Sequence, residues 1–164
     1  MKNTINIMAK RAISPLIATI ILVALTVAIG ALIVNWGRAY VSKSMSCVTL
    51  SMSLYNPTKG TNYIDFKLFY TSENPTEFSD YTVKIYTTLG TEYLCKYNSG
   101  ATSAPAGGCV FTVTPPSGTS KFVKDTEYSV RVYVDTATIN IGSIYKVGMY
   151  SPACNREIET LTII

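Results

Sequence analysis

Four cysteines, Cys47, Cys95, Cys109 and Cys154, are the side chains of this chain with the widest chemical repertoire. Thiols can ligate a metal, attack a substrate or pair with one another. A structural zinc site wants four nitrogen or sulfur ligands, two of them at short spacing. The chain has no histidine and no Cys-x-x-Cys pair, so no metal is expected. The same lack of histidine removes the usual general base and every Cys-His or Ser-His-Asp arrangement. Disulfides remain, and an even cysteine count suits two of them wherever the surroundings are oxidising. Three pairings are possible. The favoured one joins Cys95 to Cys109 across the Ser/Ala/Gly/Pro-rich stretch 99–108, a ring worth about 3 kcal/mol in the chain-entropy account. Cys47 would then pair with Cys154.

The carboxylates offer less. Glu157 and Glu159, and likewise Asp125 and Glu127, stand two apart, the spacing of a strand face. Neither pair has a partner base, and solvated strand faces account for both. There is no G-x-S-x-G, no phosphate-binding glycine loop, no dinucleotide fingerprint and no calcium loop. The expectation is a protein that is not an enzyme and carries no cofactor. Both Asn56-Pro57-Thr58 and Asn74-Pro75-Thr76 resemble glycosylation acceptors, but the central proline blocks each. The twelve tyrosines are explained first by the preference of tyrosine for strands, and a sugar-binding or subunit-contact patch is the alternative.

The elements that carry these residues follow from patterning. The chain has 164 residues, of which 48% are hydrophobic and 15% charged, with a formal charge of +4. Three basic residues, Lys2, Lys10 and Arg11, precede a long apolar run. Without them, eleven basic side chains face ten acids. The positive charge is therefore a property of the first dozen residues, and no clustered basic face speaks for nucleic acid.

Residues 16–34 contain no charge, and twelve of the nineteen are Leu, Ile or Val. At roughly −0.3 to −0.6 kcal/mol each for insertion, those twelve contribute about −4 to −7 kcal/mol. The run is longer than the apolar core of a secretory signal, and no Ala-x-Ala site follows it. It is long enough to span a bilayer. The flanking basic residues place its N-terminal end in the cytoplasm and the bulk of the chain outside. Trp36 and Tyr40 follow it, as interfacial aromatics do. Ser14 suits an N-cap and Pro15 a first helical turn. No proline interrupts the chain before Pro57, so the helix is expected to continue to about residue 44 or 45. Apolar side chains on every face require burial all round, in lipid or among other helices. Ala18, Ala24, Ala28, Gly30 and Ala31 would permit close helix approach.

Beyond Cys47 the pattern switches to period two. Val48, Leu50, Met52 and Leu54 share a strand face, as do Ile64, Phe66, Leu68 and Tyr70. Tyr81, Val83 and Ile85 form another set. The clearest is Tyr128, Val130, Val132 and Val134, with Ser129, Arg131, Tyr133 and Asp135 opposite. Weaker strands fall at 91–97, 108–114, 143–150 and 156–163. About eight short strands separated by Gly, Pro and Asn predict an antiparallel β-sandwich of immunoglobulin-like architecture. With the helix in front, the fold class is α+β, a long N-terminal hydrophobic α-helix followed by that sandwich.

Lys10-Arg11-Ala12, followed by Ile13-Ser14-Pro15-Leu16-Ile17-Ala18-Thr19-Ile20-Ile21-Leu22, resembles the N-terminus of archaeal type IV pilins. The match covers about a sixth of the chain. It implies a class III signal peptide at 1–12, cut by a prepilin peptidase between Ala12 and Ile13, with Lys10, Arg11, Ala12 and Ile13 as the processing residues. It further implies an assembly helix at 13–45 and an extracellular β-sandwich at 46–164. Leu16, Ile17, Ile20, Ile21, Val23, Ala24, Val27, Ala28, Ala31 and Val34 would form a filament core. Bacterial pilins carry a glutamate at the fifth mature position, where this chain has Ile17, so a register set by that charge is absent.

The resemblance implies a structural pilus subunit. Its partners would be copies of itself in a helical homopolymer, the membrane as precursor, the peptidase, and an assembly platform with its ATPase. Adhesion, and use as a virus receptor, would be its roles on an extracellular filament. An archaellin is a near neighbour of this reading. The alternative is a membrane-anchored cell-surface module that binds sugar or peptide and does not polymerise.

Overall fold

The computed structural model describes residues 15–116 and 118–164, and of residues 42–46 the backbone alone. The chain divides between residues 43 and 44 into two units.

One helix, α1 (Pro15–Val48), makes up the described part of the first unit and runs on past residue 43. Its 34 residues make a rod about 51 Å long at 1.5 Å per residue. Proline opens it, where a missing N–H costs nothing. Two hydroxyls inside the apolar run are satisfied locally. Thr19 donates to the Leu16 carbonyl and Thr26 to that of Val23, both at 2.8 Å. The helix ends some three residues later than expected, at Val48. No glycine or proline lies between Lys43 and Val48 to stop it, and adding a turn to an existing helix is easy. Val48 therefore belongs to the helix and is exposed, and the first strand starts only at Met52.

The second unit is built from β1 (Met52–Lys59), β2 (Tyr63–Tyr70), β3 (Thr76–Glu77), β4 (Thr82–Thr87), β5 (Glu92–Tyr97), β6 (Cys109–Thr114), β7 (Lys121–Phe122), β8 (Thr126–Val134), β9 (Ile144–Ser151) and β10 (Arg156–Thr162). Eight strands form one sheet in the order β1-β2-β8-β6-β5-β4-β9-β10, and β3 pairs with β7. All pairs are antiparallel except β5 with β6. The sheet folds over on itself, bringing its end strands β1 and β10 alongside each other. The result is an α+β fold: one N-terminal helix, then an antiparallel-dominated sandwich that approaches a barrel.

Alternation sets the core. Strand β2 buries Ile64, Phe66, Leu68 and Tyr70 and turns Tyr63, Asp65, Lys67 and Phe69 outward. Strand β8 buries Tyr128, Val130, Val132 and Val134. Phe111 from β6, Val83 and Ile85 from β4 and Val147 and Met149 from β9 fill the interior. Each such side chain contributes about 1.5–3 kcal/mol by leaving water.

An aromatic cluster closes the end of the sheet where β2 stops and β4 and β8 start. Phe122 sits at its centre, 4.6 Å from the Phe78 ring, 5.0 Å from Tyr128, 5.3 Å from Tyr81 and 5.4 Å from Tyr70. The tyrosine hydroxyls stay paired. Tyr70 donates to the Asn74 carbonyl at 2.7 Å, Tyr81 meets Thr76 Oγ1 at 2.8 Å, and Tyr128 donates to the Lys121 carbonyl at 3.1 Å. Burial raises the Tyr81 phenol well above its ordinary range. Three of the twelve tyrosines thus have a plain packing role.

Candidate functional site

The helix is the first candidate. From Pro15 to Val41 every residue except Gly37 is exposed. Leu16, Ile17, Ile20, Ile21, Val23, Val27 and Val34 present between 51% and 68% of their surface, and Ala24, Ala28 and Ala31 lie open beside them. A side chain added at Gly30 or Gly37 would meet nothing within 4 Å, so no contact inside the chain demands glycine there. About one turn after Ile33, Trp36 stacks on Tyr40 with ring centroids 5.7 Å apart. The helix is long and apolar enough to cross a membrane. The processing residues Lys10, Arg11, Ala12 and Ile13 lie outside the described residues, as does Ser14.

Covalent chemistry fixes the second unit. Cys47, in the last turn of α1, is bonded to Cys154 in the turn between β9 and β10, with Cα atoms 5.5 Å apart. The Arg156 guanidinium donates to the Cys47 carbonyl beside this bridge. It satisfies an oxygen at a helix C-terminus, where carbonyls lack intrahelical partners and cations are favoured. Cys95 is bonded to Cys109, with Cα atoms 4.8 Å apart. These two begin the parallel register of β5 and β6, one residue before the pair Lys96 and Val110. The loop they close is also pinned by Asp135, which accepts from the Gly107 N–H at 2.7 Å, the Ala137 N–H at 3.1 Å and the Thr138 hydroxyl at 3.1 Å. Those bonds, that from Gly107 foremost, hold the Asp135 carboxyl below its ordinary range. Gly107 itself has φ +74°, a backbone that favours glycine.

The paired carboxylates have structural partners. A bulge falls between Glu157 and Glu159, so they are not simple neighbours on one face. Glu157 accepts from the Tyr86 hydroxyl. Burial first, and then that bond, raise the Tyr86 phenol well above its usual value. Glu127 accepts from Tyr55 Oη at 2.6 Å and faces Lys67 Nζ at 3.2 Å. The Tyr55 bond first, then Lys67, hold its carboxyl below the ordinary range. Asp125 adopts φ +56° in the turn before β8. Among the described residues, no group of three or more His, Cys, Asp or Glu could hold a metal.

No family model and no curated relative matches the sequence. Two solved structures show a similar arrangement. The archaellum periplasmic stator protein FlaG from Sulfolobus acidocaldarius is 14% identical, with a TM-score of 0.49 over 70% of this chain and 99% of that one. The complex of archaellum periplasmic stator proteins FlaF and FlaG from the same organism gives 13% identity and a TM-score of 0.47, over 69% of this chain and 88% of that one. Likeness at this level says nothing of function.

A further feature of the β-domain has no motif in the sequence. On the outer face of β1, β2, β8 and β6 a concavity of about 530 Å³ opens to solvent. Its central side chain is Arg131, which grips Asp65 through two hydrogen bonds of 2.7 and 2.6 Å and lies 4.2 Å from the Tyr63 ring centroid. The Asp65 carboxylate raises the already high Arg131 pKa further. The only sequence signal was the polar set Ser129, Arg131 and Tyr133 on one strand, and strand pairing decides what stands beside it.

Proposed function

We propose that this chain is a membrane-anchored surface protein. The single observation that carries the reading is α1, a helix with apolar side chains exposed on all sides and no charge between residues 16 and 34. Water is a poor solvent for such a rod, and about twenty apolar residues match a bilayer core. Lys2, Lys10 and Arg11 orient it with the N-terminal end inside, which leaves the β-domain outside. Two disulfides suit an oxidising exterior. The domain there serves as a binding or contact module. The experiment is protease treatment of intact cells followed by alkaline extraction of membranes. Loss of the β-domain with α1 kept in the membrane pellet is the expected result. A protected domain, or a protein released without detergent, would overturn the reading.

A second, finer reading is favoured by the residues from Lys10 to Leu22. On this reading the chain is a pilin-like subunit, cut between Ala12 and Ile13 and moved from lipid into a homopolymer whose core is built from α1. A prepilin peptidase and an assembly platform with its ATPase would be its partners. Intact mass of the native protein tests the cut, and a chain that still carries Met1 would sink it. Sedimentation of surface fractions without detergent tests polymerisation. Filaments that pellet support it, whereas protein that leaves the membrane only in detergent leaves the anchored module alone.

A further inference from the structure

We propose that the concavity on the outer face of β1, β2, β8 and β6 is a binding site for a neutral carbohydrate of one or two sugar rings. Four observations carry the assignment.

The first is size and position. About 530 Å³ falls within the range of small-ligand sites.

The second is charge. Register places Thr58, Asp65, Arg131 and Thr112 side by side on four strands. Arg131 is matched by Asp65. In the next row Lys67 is bonded to Ser129 at 2.8 Å and matched by Glu127. Each cation on this floor has its own carboxylate, so neither an anion nor a cation finds an uncompensated charge. A partner with neutral hydroxyl groups meets no such obstacle.

The third is the state of the remaining polar groups. Among the described residues, the side chains of Asn56, Thr58, Thr112 and Thr114 have no hydrogen-bond partner. Each hydroxyl can both donate and accept, and the amide adds two donors and an acceptor. They surround charged groups already held in place, so little ordering remains to be done on binding. Tyr133, also on the lining, supplies an apolar ring for the C–H face of a sugar.

The fourth is backbone. The β1–β2 register slips between Tyr55 and Thr58, and within that bulge Asn56 adopts φ +51°. Bulges re-aim side chains beside functional sites, and non-glycine residues with positive φ are uncommon. Asn56 lines the concavity.

The proposal deepens the anchored-module reading, since it names what the exposed domain would hold. Its test is independent of membrane topology. The full chain is purified in a zwitterionic, sugar-free detergent. Saturation-transfer NMR is then recorded with millimolar maltose, cellobiose, lactose or mannobiose, and separately with inorganic phosphate and an acidic peptide. At least one disaccharide should receive saturation. Thr112→Val, which suits a strand and removes one hydroxyl, and Asn56→Ala should each weaken its binding by about fivefold, the worth of one neutral hydrogen bond. Lys84→Ala, on the outer face of β4, should leave it unchanged. Thermal melting of each variant checks that the fold is kept. Three results would overturn the proposal: no saturation of any disaccharide, sugar binding equal in wild type and both site variants, or displacement of bound sugar by phosphate or by the acidic peptide.

Discussion

The helix and the sheet use the same apolar residues to opposite ends. In β2 and β8 every second side chain is apolar, and those side chains reach less than 3% exposure at Ile64, Phe66, Leu68, Tyr128, Val130 and Val132. In α1 apolar residues occupy all faces, and Leu22, Leu25 and Leu32 stand 65%, 55% and 70% exposed. The hydrophobic driving force per unit area is the same in both. Patterning decides whether a segment meets that force from within its own chain. The sheet is self-sufficient, whereas the helix depends on something outside the molecule.

The strongest way to break this contrast is a matched pair of truncations. Phe111 has no exposed surface, and Phe111→Ala is expected to cost the β-domain about 3–5 kcal/mol, read as a lowered denaturation midpoint. Leu25→Ala should leave that midpoint within about 0.5 kcal/mol. Equal losses would mean that the helix is packed after all. The next effect concerns the joint between the regions. Cys47 and Cys154 close a ring of sequence separation 107, and Cys154→Ser should cost about 2–5 kcal/mol and leave Cys47 open to alkylation. An unchanged midpoint would show that the bridge constrains little. The smallest effect is acid sensitivity of the sheet. Glu127 and Asp135 are held below their ordinary range by hydrogen bonds from Tyr55 and from the Gly107 N–H. Their contribution is complete above the unfolded-state value near about 4 and is lost as pH falls through the lower folded value. Denaturation midpoints should decline in that acid range, and Glu127→Gln should flatten the decline. A slope unaltered by the substitution would remove Glu127 from the account.

Much of this was legible in the residues themselves. Four strands of the main sheet, β1, β2, β4 and β8, announce themselves by alternation, because a half-buried strand must alternate, and the other four show more weakly between breakers. The boundary at Val48 was not legible. Val48, Leu50, Met52 and Leu54 alternate like a strand, yet the first of them is the last residue of α1. A two-residue period cannot reveal that a helix has overrun its start. Strands β3 and β7 are too short to show any period, and they exist because Phe78 and Phe122 pull their neighbours together. The parallel pairing of β5 with β6 was hidden as well. Two strands adjacent in sequence suggest a hairpin, and only the crossing of the 98–108 loop makes them parallel. The concavity around Arg131 depends on which residues stand abreast. Asp65, Thr112 and Thr58 come from three other strands, and their register is a tertiary property.

The bridge between Cys47 and Cys154 also has a mechanical consequence. A pull applied between α1 and the C-terminal strand travels through the sulfur atoms and bypasses the residues enclosed between them. At about 3.3–3.6 Å of contour per residue, some 350–380 Å of slack is locked out of that load path. Under such a pull the oxidised molecule behaves as a short tether that loads β10 but spares β1 to β9, and the reduced one pays out like an unspooled line.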